Sequence, residues 1–342
     1  MIVYGAYGYT GRLVVERAVA RGLRPVLAGR RREPLAEMAG KLGLEHRVCD
    51  LGDPGRLDAV LAGTGVVAHC AGPFSATSRP MVEACLRTGT HYLDITGEID
   101  VFEAVLARDG EAAAAGVVLL PGAGFDVVPS DCLAAMLARA VADPVRLALA
   151  VRLAGGASAG TATTATEGLR ARCRMGGRIV PVPRDRRRRR IRFADGSATV
   201  AAVSWGDVAT AYRSTGIPDI TTYAAIPAPV VALGEATAGL LELPAVRRAL
   251  QAVTRRLPGP SASVRRRTTG EVWGEVTGAD GTTAQGTVTT PNGYLFTADS
   301  VVEIALRVGD LAPGAHTPST ALGADFVRSL DGVTVALQPP SR

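Results

Sequence analysis

The chain has 342 residues, with 47% hydrophobic residues, 20% charged residues and a formal net charge of +6 at pH 7. This composition excludes an intrinsically disordered chain, and the length is sufficient for two domains. No apolar run of 18 residues is present and no charged segment precedes an apolar one at the amino terminus, so we expect a cytoplasmic protein without a membrane span.

Residues 1–125 alternate between short apolar segments and helical segments. The pattern predicts strands at 1–4, 24–28, 45–50, 65–70, 90–95 and 117–120. It predicts helices at 11–21, 34–42, 54–61, 79–88 and 99–115. Because segments such as 65–70 are apolar on both faces, as in a parallel sheet covered by helices, we expect a doubly wound α/β Rossmann domain.

After residue 125 the pattern changes. A helix at 129–141 and a strand at 145–153 precede a stretch rich in small residues at 155–166. Further strands are predicted at 178–182, 190–193, 220–225, 264–277 and 282–290, and a helix at 293–308. We therefore expect a second, α+β domain with a mixed or antiparallel sheet over 126–313. The tail 314–342, with a helix at 318–330, is expected to return to the first domain.

Cysteine, histidine and arginine usage limits the other possibilities. The five cysteines are odd in number and lack a Cys-x-x-Cys pair, and the four histidines lack metal-binding spacing, so we predict free thiols and no metal. All but one of the 38 basic residues are arginine, including the runs 186–190 and 265–267. No aromatic interleaving accompanies these runs, so no nucleic-acid partner is predicted.

Three glycines separate the first strand from the first helix. Gly5 permits a tight turn, Gly8 lets a phosphate approach the backbone, and Gly11 lets the helix pack closely on the strand. The helix amino terminus adds N–H groups and a positive dipole end. The motif predicts a dinucleotide diphosphate site, which also includes the loop residues Tyr7, Tyr9 and Thr10; the alternative is a plain glycine-rich turn.

The end of the second strand distinguishes between nucleotides. An NAD-preferring site places an acidic residue there, whereas this chain has Arg30 and Arg31 and no acidic residue before Glu33. Guanidinium groups match the charge and geometry of the 2′-phosphate of NADP, so we predict NADPH. The alternative is that arginine is simply abundant in this chain.

Polar residues follow several of the predicted strands, at the edge of the sheet where ligands bind. Candidate proton donors at or near these ends, or in the second domain, are Tyr92, Asp126, His91 and Tyr223. His91 and Tyr92 lie on opposite faces of one strand, so at most one of them can face a ligand. Asp126 follows two glycines, which fits either a pocket or a turn.

Five segments together resemble the saccharopine dehydrogenase-like family, in the short branch that includes trans-acting enoyl reductases. They are 5–11, 71–74, 90–98, 124–131 and 314–318. The resemblance is dense over the first 131 residues and thin between 150 and 310. It implies a Rossmann domain, a substrate or dimerisation domain, a homodimer and NADPH-dependent reduction.

The resemblance also implies positions for individual residues. Asp50 is expected near the adenine of the cofactor. The loop residues expected along the cofactor are Ala71, Gly72, Pro73 and Phe74. One residue departs from the family pattern: Tyr7 stands where the family commonly has a small threonine, which implies a different packing of the diphosphate loop.

The sequence leaves four functions open. The first is an NADPH-dependent reductase of an enoyl C=C in an acyl or polyketide substrate, small or bound as a thioester to a carrier, which the stretch 155–166 would accommodate. The second is reduction of an imine C=N, the third is a non-catalytic NADP(H) sensor, and the fourth is a scaffold partner for a synthase. A short-chain dehydrogenase is excluded, because its Tyr-x-x-x-Lys pair is absent: the sole lysine is Lys41 and residue 37 is glutamate.

Overall fold

The computed structural model describes residues 1–153, 171–194, 196–226 and 259–341. The small-residue stretch 155–166 lies outside the described residues. The chain divides into two compact units. The first comprises residues 1–96, 100–128 and 294–323, and the second comprises residues 97–99, 129–293 and 324–342.

The strands in chain order are β1 (Ile2–Tyr4), β2 (Val26–Gly29), β3 (His46–Val48), β4 (Val66–His69), β5 (His91–Asp94), β6 (Val118–Leu120), β7 (Pro144–Leu153), β8 (Arg172–Met175), β9 (Arg178–Pro181), β10 (Arg188–Phe193), β11 (Gly196–Ala202), β12 (Asp219–Ala224), β13 (Thr269–Gly278), β14 (Thr283–Pro291), β15 (Gly314–Ala315) and β16 (Thr334–Leu337). The α-helices are α1 (Tyr9–Ala20), α2 (Arg32–Leu42), α3 (Pro54–Leu61), α4 (Phe74–Thr88), α5 (Ile99–Leu106), α6 (Asp109–Ala114), α7 (Val128–Arg139), α8 (Asp207–Thr215), α9 (Ala262–Arg267), α10 (Gly293–Arg307) and α11 (Pro318–Leu322). Short 3₁₀ helices span Arg184–Arg186, Val308–Asp310 and Ala324–Ser329.

The first unit is built on a parallel sheet of seven strands in the order β15-β6-β5-β4-β1-β2-β3. The strands β1 and β6 are buried along their length and apolar on both faces, as for Ile2 and Val3, whereas the edge strand β3 is half-buried. Strand order reverses at β1, because β2 and β3 lie on one side of it and β4, β5 and β6 on the other. The predicted Rossmann fold is confirmed, and ligands of such sheets bind at this reversal, beyond the carboxyl ends of the strands.

Two segments fall in a different unit from the one that the sequence predicted. Residues 294–313 were expected in the second domain, but they belong to the first unit. The reason is that α10 packs on that unit: Asp299 pairs with Arg17 of α1 and Glu303 pairs with Arg21. Conversely, 324–342 belongs to the second unit, where β16 pairs antiparallel with β14. Gly314–Ala315 does return to the first sheet, parallel to β6.

The second unit contains a mixed sheet, as predicted. Its strands follow the order β10-β11-β12-β7-β13-β14-β16, and β8 pairs with both β12 and β9. The pair β12–β7 is parallel and the others are antiparallel. On one face Gly274 lies against Leu133 and Leu137 of α7, so closely that a methyl group there would be 2.9 Å from Leu137.

On its opposite face the second sheet is curled, so that strands far apart in the sheet order come close together. Four strand spacings, or about 19 Å, separate β10 from β13 in the sheet order. Nevertheless, Arg189 of β10 pairs with Glu275 of β13 at 2.7 Å, and its guanidinium lies 4.9 Å from the ring centroid of Trp273. The β10–β11 hairpin therefore folds back over β7 and β13 and closes an apolar cluster between them.

Among the described residues, no helix is both long and apolar enough to cross a lipid bilayer. In the same part of the chain, no three histidine, cysteine or acidic side chains come together in a group that could hold a metal ion.

Candidate functional site

The glycine turn lies between β1 and α1 and has the geometry that the motif requires. Gly5 adopts a positive φ of 83°, and its N–H donates to the carbonyl of Ala28 in β2 at 2.8 Å. The Gly8 N–H donates back to the Gly5 carbonyl at 2.9 Å. A side chain at Gly11 would collide with the Gly5 carbonyl, so glycine is needed there for α1 to approach the turn.

The amino terminus of α1 is open to an anion. Its N-cap is Gly8, which makes no side-chain capping bond, and the first turn contains no acidic residue. Tyr9 and Thr10 form that first turn, and the Tyr9 ring packs edge-on against Tyr294 with centroids 4.9 Å apart. Bare backbone at Gly8 beside an uncapped helix end fits a diphosphate group, because N–H groups and the helix dipole both favour negative charge there.

The predicted nucleotide-selecting residues come together at the ends of β2 and β3. Arg30 and Arg31 follow Gly29 and are exposed. Burial, Cys49, the Asp50 carboxylate and Tyr7 raise the pKa of the Tyr4 phenol, and the Arg30 charge opposes the rise. The Tyr4 hydroxyl donates to the Cys49 carbonyl at 3.0 Å, so the carboxyl ends of β1 and β3 lie close together.

Asp50 itself is exposed, and its Oδ1 accepts a hydrogen bond from the Gly52 N–H at 2.8 Å. That bond fixes the turn after β3, while Cys49 N–H donates to the Gly29 carbonyl at 3.0 Å. The second and third strand ends are thus joined where the adenosine of a dinucleotide is expected.

The loop after β4 packs directly on the glycine turn. An added Cβ at Gly5 would lie 2.9 Å from the Cβ of Ala71, so the two segments are in contact. The Gly72–Pro73 peptide bond is cis, Gly72 is exposed, and Phe74 begins α4. The predicted segment from Ala71 to Phe74 therefore begins next to the turn, and it is exposed at Gly72.

Two side chains that the sequence reasoning missed hold this loop. The Thr77 hydroxyl donates to the Ala71 carbonyl at 2.7 Å and is also 3.0 Å from the Pro73 carbonyl. His69 Nε2 lies 3.1 Å from the same hydroxyl oxygen. Because the proton of the Thr77 hydroxyl points at the carbonyls, its oxygen can accept a hydrogen bond from the imidazole. The His69–Thr77 pair thus fixes the path of the loop.

His69 is fully buried at the carboxyl end of β4. Its ring lies between Tyr4 and Phe74, with centroids 5.5 Å and 5.4 Å away, and among the described residues its Nδ1 has no hydrogen-bond partner. Burial lowers the pKa of His69 to about 3, so the imidazole is neutral. The available sequence signal was its position as the last residue of an apolar strand.

Asp94 ends β5 and links three backbone segments. Its Oδ2 accepts from the Tyr92 hydroxyl at 2.6 Å, and its Oδ1 accepts from the N–H groups of Thr96 and Gly122 at 3.0 Å and 2.8 Å. Burial raises the pKa of Asp94 to about 6, while these hydrogen bonds oppose the rise. Tyr92 is completely buried. Its hydroxyl donates a hydrogen bond to Asp94, which gives this candidate a structural role.

His91 does not lie where a ligand-facing residue must lie. It is the first residue of β5, about 10 Å from the carboxyl end of that strand, and its Nδ1 accepts a hydrogen bond from the Val118 N–H at 3.0 Å. His91 thus links β5 to β6 at the amino ends of these strands, a position that does not favour it as a proton donor.

Tyr223 belongs to the second unit, as the second-last residue of β12. It is 5% exposed and packs in the apolar cluster with Ala150, Phe193 and Trp273. Burial is the main cause that raises the pKa of its phenol. Tyr223 is thus a core residue of the curled sheet, a position that does not favour it as a proton donor.

Asp126 follows the carboxyl end of β6 and is half-buried. Burial raises the pKa of Asp126 to about 6. The loop that leads to it is held by α10: the Thr297 hydroxyl accepts from the Phe125 N–H at 3.0 Å, and the Ser300 hydroxyl donates to the Ala123 carbonyl at 2.6 Å. A methyl at Gly124 would lie 2.9 Å from Thr297, so glycine is required for this contact.

Comparison with known proteins finds a family match in the amino-terminal part of the chain. Residues 1–120 match the family model described as the saccharopine dehydrogenase NADP-binding domain. The amino-terminal part of the chain is therefore similar to the nucleotide-binding domain of this family. The match covers β1 to β6 and contains the glycine turn, Arg30, Arg31, Asp50 and the loop after β4, in agreement with the resemblance inferred from the sequence.

Curated relatives match the same part of the chain. A saccharopine dehydrogenase-like oxidoreductase of Bos taurus is 34% identical over 151 residues, which cover 38% of this chain and 35% of that protein. A trans-acting enoyl reductase of Mycobacterium leprae is 36% identical over 139 residues, which cover 38% and 33%. The chain thus spans about a third of the length of the curated relatives it matches.

Solved structures share the fold over the whole chain. Saccharopine dehydrogenase (L-Glu forming) from Saccharomyces cerevisiae superposes with a TM-score of 0.66 at 13% identity, covering 100% of this chain and 99% of that one. Homospermidine synthase from Legionella pneumophila gives 0.68 at 9% identity, covering 99% and 91%. At these identities the likeness shows the fold alone.

Proposed function

We propose that this protein is an NADPH-dependent reductase that transfers a hydride to the activated carbon–carbon double bond of an enoyl-type acyl or polyketide substrate. The proposal is carried by three features at the carboxyl ends of the parallel strands. They are the helix end at Gly8, which has no side-chain cap, the guanidinium groups of Arg30 and Arg31, and the exposed loop at Gly72. The enoyl acceptor is supported by the named activity of relatives that match residues of this domain.

The chain's own residues bind and orient the cofactor. The backbone from Gly8 to Gly11 binds the diphosphate, and Arg30 and Arg31 bind the 2′-phosphate. The loop from Ala71 to Phe74, fixed by Thr77, lies along the cofactor. Bound NADPH supplies the hydride; holding two reactants in contact accounts for roughly 7–11 kcal/mol of barrier lowering in well-aligned reactions.

Asp126 is the proposed proton donor. It follows a strand end of the parallel sheet, and its raised pKa of about 6 keeps a fraction of the carboxyl protonated near neutral pH. Tyr92 is the weaker candidate because its hydroxyl donates to Asp94. Since a general acid must carry its proton, turnover should fall as the pH rises through about 6.

The test follows NADPH absorbance with a panel of enoyl thioesters and a panel of cyclic imines. We expect consumption with an enoyl thioester and a large loss of turnover in Asp126→Asn, together with loss of the pH limb near 6. Asp310→Asn, at an exposed carboxylate of a 3₁₀ helix, is the matched control and should behave as the parent protein.

Other results would point elsewhere. Consumption with imines alone would replace the enoyl assignment by C=N reduction, which the saccharopine dehydrogenase-like names of other relatives favour. Tight NADPH binding without any consumption would favour a nucleotide sensor. A carrier-bound substrate and a homodimer are parts of the proposal, tested by comparing carrier-linked with free thioesters and by sedimentation of the purified protein.

A further inference from the structure

The ring of Tyr7 lies across the end of β2. Its Cε1 is 2.8 Å from the position that a Cβ of Gly29 would occupy, so only glycine leaves room for it. The main chain of the same residue is also anchored, because the Tyr7 carbonyl accepts a hydrogen bond from Arg12 Nε at 3.0 Å. Both the ring and the backbone of Tyr7 are therefore held in place.

The exposed guanidinium of Arg31 lies over this fixed ring, with its central carbon 5.2 Å from the Tyr7 centroid. Within the described ranges Arg31 has no carboxylate partner, so no ion pair neutralises its charge. An arginine at a surface normally loses rotamer freedom when it binds a ligand. A ring beneath the guanidinium reduces that loss and also attracts the charge electrostatically.

Neighbouring Arg30 lacks such support. No aromatic ring or ion pair engages Arg30 in the part of the chain that the structure describes. The two arginines that follow β2 therefore differ: Arg30 is exposed without such a contact among the described residues, whereas Arg31 lies over an aromatic ring.

We infer that Tyr7 is a specificity-determining positioning residue, whose ring holds Arg31 in place for the 2′-phosphate of NADPH. The inference rests on the proposed cofactor but goes beyond it, because it assigns the choice between coenzymes to a residue of the glycine turn as well as to the arginines. It also gives Gly29 a function: its missing side chain makes room for the ring.

The experiment is a double-mutant cycle on the ratio of NADPH to NADH affinity, measured by fluorescence titration of the whole protein. Tyr7→Thr should lower the ratio about fivefold, the size of one exposed cation–π contact. Arg31→Leu should lower it about tenfold, as expected for one charge-assisted hydrogen bond. In the double variant, Tyr7→Thr should add nothing to the loss caused by Arg31→Leu.

Three controls separate positioning from folding. Tyr7→Phe retains the ring and should keep the parental ratio. Tyr7→Thr combined with Arg30→Leu should show the full product of the two losses, because Arg30 does not use the ring. Arg79→Leu, at a side chain that is 85% exposed, should leave both affinities unchanged. Melting temperatures of all variants establish that they are folded.

The outcomes are decisive in either direction. A ratio unaffected by Tyr7→Thr, or an equal loss with and without Arg31, overturns the inference while leaving the NADPH proposal standing. An equal loss in Tyr7→Phe overturns it as well, because the hydroxyl would then be responsible. If the parent protein shows no preference for NADPH, the proposed cofactor fails and the inference fails with it.

Discussion

The phenolic hydroxyl of Tyr92 donates a 2.6 Å hydrogen bond to Oδ2 of Asp94, two residues further along the same strand. Because side chains two residues apart point to the same face of a strand, both groups lie on one side of β5. The other oxygen of Asp94 binds the backbone of the next two segments. One buried carboxylate thus fixes the strand end, the turn after it and the loop after β6.

Tyr92→Phe tests whether this bond is structural or catalytic. The variant removes one donor from a buried carboxylate, so we expect the free energy of unfolding to fall by about 1–3 kcal/mol in urea titrations. Turnover at saturating NADPH should remain within about threefold of the parent, by the same absorbance assay. Abolished turnover with unchanged stability would instead identify Tyr92 as the proton donor.

The raised pKa of Asp94 predicts the pH dependence of stability. The pKa is about 6 in the folded state and about 3.9 in an unfolded chain, so the folded state holds the proton to higher pH. Between about pH 4 and pH 6 the free energy of unfolding should therefore decrease with rising pH, by roughly 3 kcal/mol for this group, and be flat above.

Asp94→Asn should flatten this slope in urea unfolding between pH 4.5 and pH 7. Part of the slope should persist, because burial also raises the pKa of Asp126 to about 6. An identical slope in parent and variant would show that Asp94 titrates normally.

Gly11→Ala should disrupt the glycine turn. The added methyl meets the Gly5 carbonyl, so we expect a loss of about 1–3 kcal/mol in unfolding free energy and a large loss of NADPH affinity. Gly40→Ala in α2 is the matched control, because no atom lies within 4 Å of its added methyl; it should stabilise the protein by about 0.5–1 kcal/mol. Unchanged NADPH affinity in Gly11→Ala would argue against a diphosphate at this turn.

Thr297→Val should weaken the attachment of α10 to the loop before Asp126. Valine has the same shape but cannot accept from the Phe125 N–H, and an unpaired buried N–H costs about 1–3 kcal/mol. Thermal unfolding measures the effect, with Thr199→Val on an exposed strand position as the neutral control. Equal melting temperatures for both variants would mean that this hydrogen bond does not contribute.

Arg30→Asp should reverse the charge that selects the coenzyme. We expect NADPH affinity to fall about 100-fold, since a favourable charge-assisted contact is replaced by repulsion, and NADH affinity to change by less than about threefold. Titration with both coenzymes gives the comparison, and Arg79→Asp serves as the exposed control. Equal losses for both would place the 2′-phosphate away from Arg30.

The residues that we propose for cofactor binding could be selected from the sequence because their signals are local. Three glycines between a strand and a helix define the turn, and Arg30 is identified by its position at a strand end. The structure brings Tyr7, Arg30, Arg31 and Asp50 together through parallel strands that end at one edge, as the alternating pattern implied.

The other site features depend on contacts that spacing does not encode. Thr77 reaches His69 only because the loop between them folds back, and nothing in the spacing indicates that turn. The apolar pattern of 293–307 predicts a buried helix face but not the unit that covers it. The hydrogen bond from the Val118 N–H to His91 likewise joins two strands through a contact that the sequence does not encode.

The predicted start of β13 was wrong because a capped helix precedes the strand. The sequence predicted one strand over 264–277, whereas the structure has α9 followed by β13. The Ser261 hydroxyl accepts from the Val264 N–H and starts the short helix, and Thr268 ends it in an extended conformation. Side-chain capping at a single residue thus outweighed the β-branched content of the segment.

The seventh strand of the first sheet has a consequence for how the protein is made. β15 and α10 come after β14 in the chain, yet they complete the unit that begins at residue 1. During translation, β7 to β14 leave the ribosome before α10 and β15 do. Until then, the nucleotide-binding unit cannot be completed, and its sheet edge at β6 and the loop before Asp126 stay uncovered. Nascent chains that stall before α10 should therefore be open to proteases and chaperones at that edge.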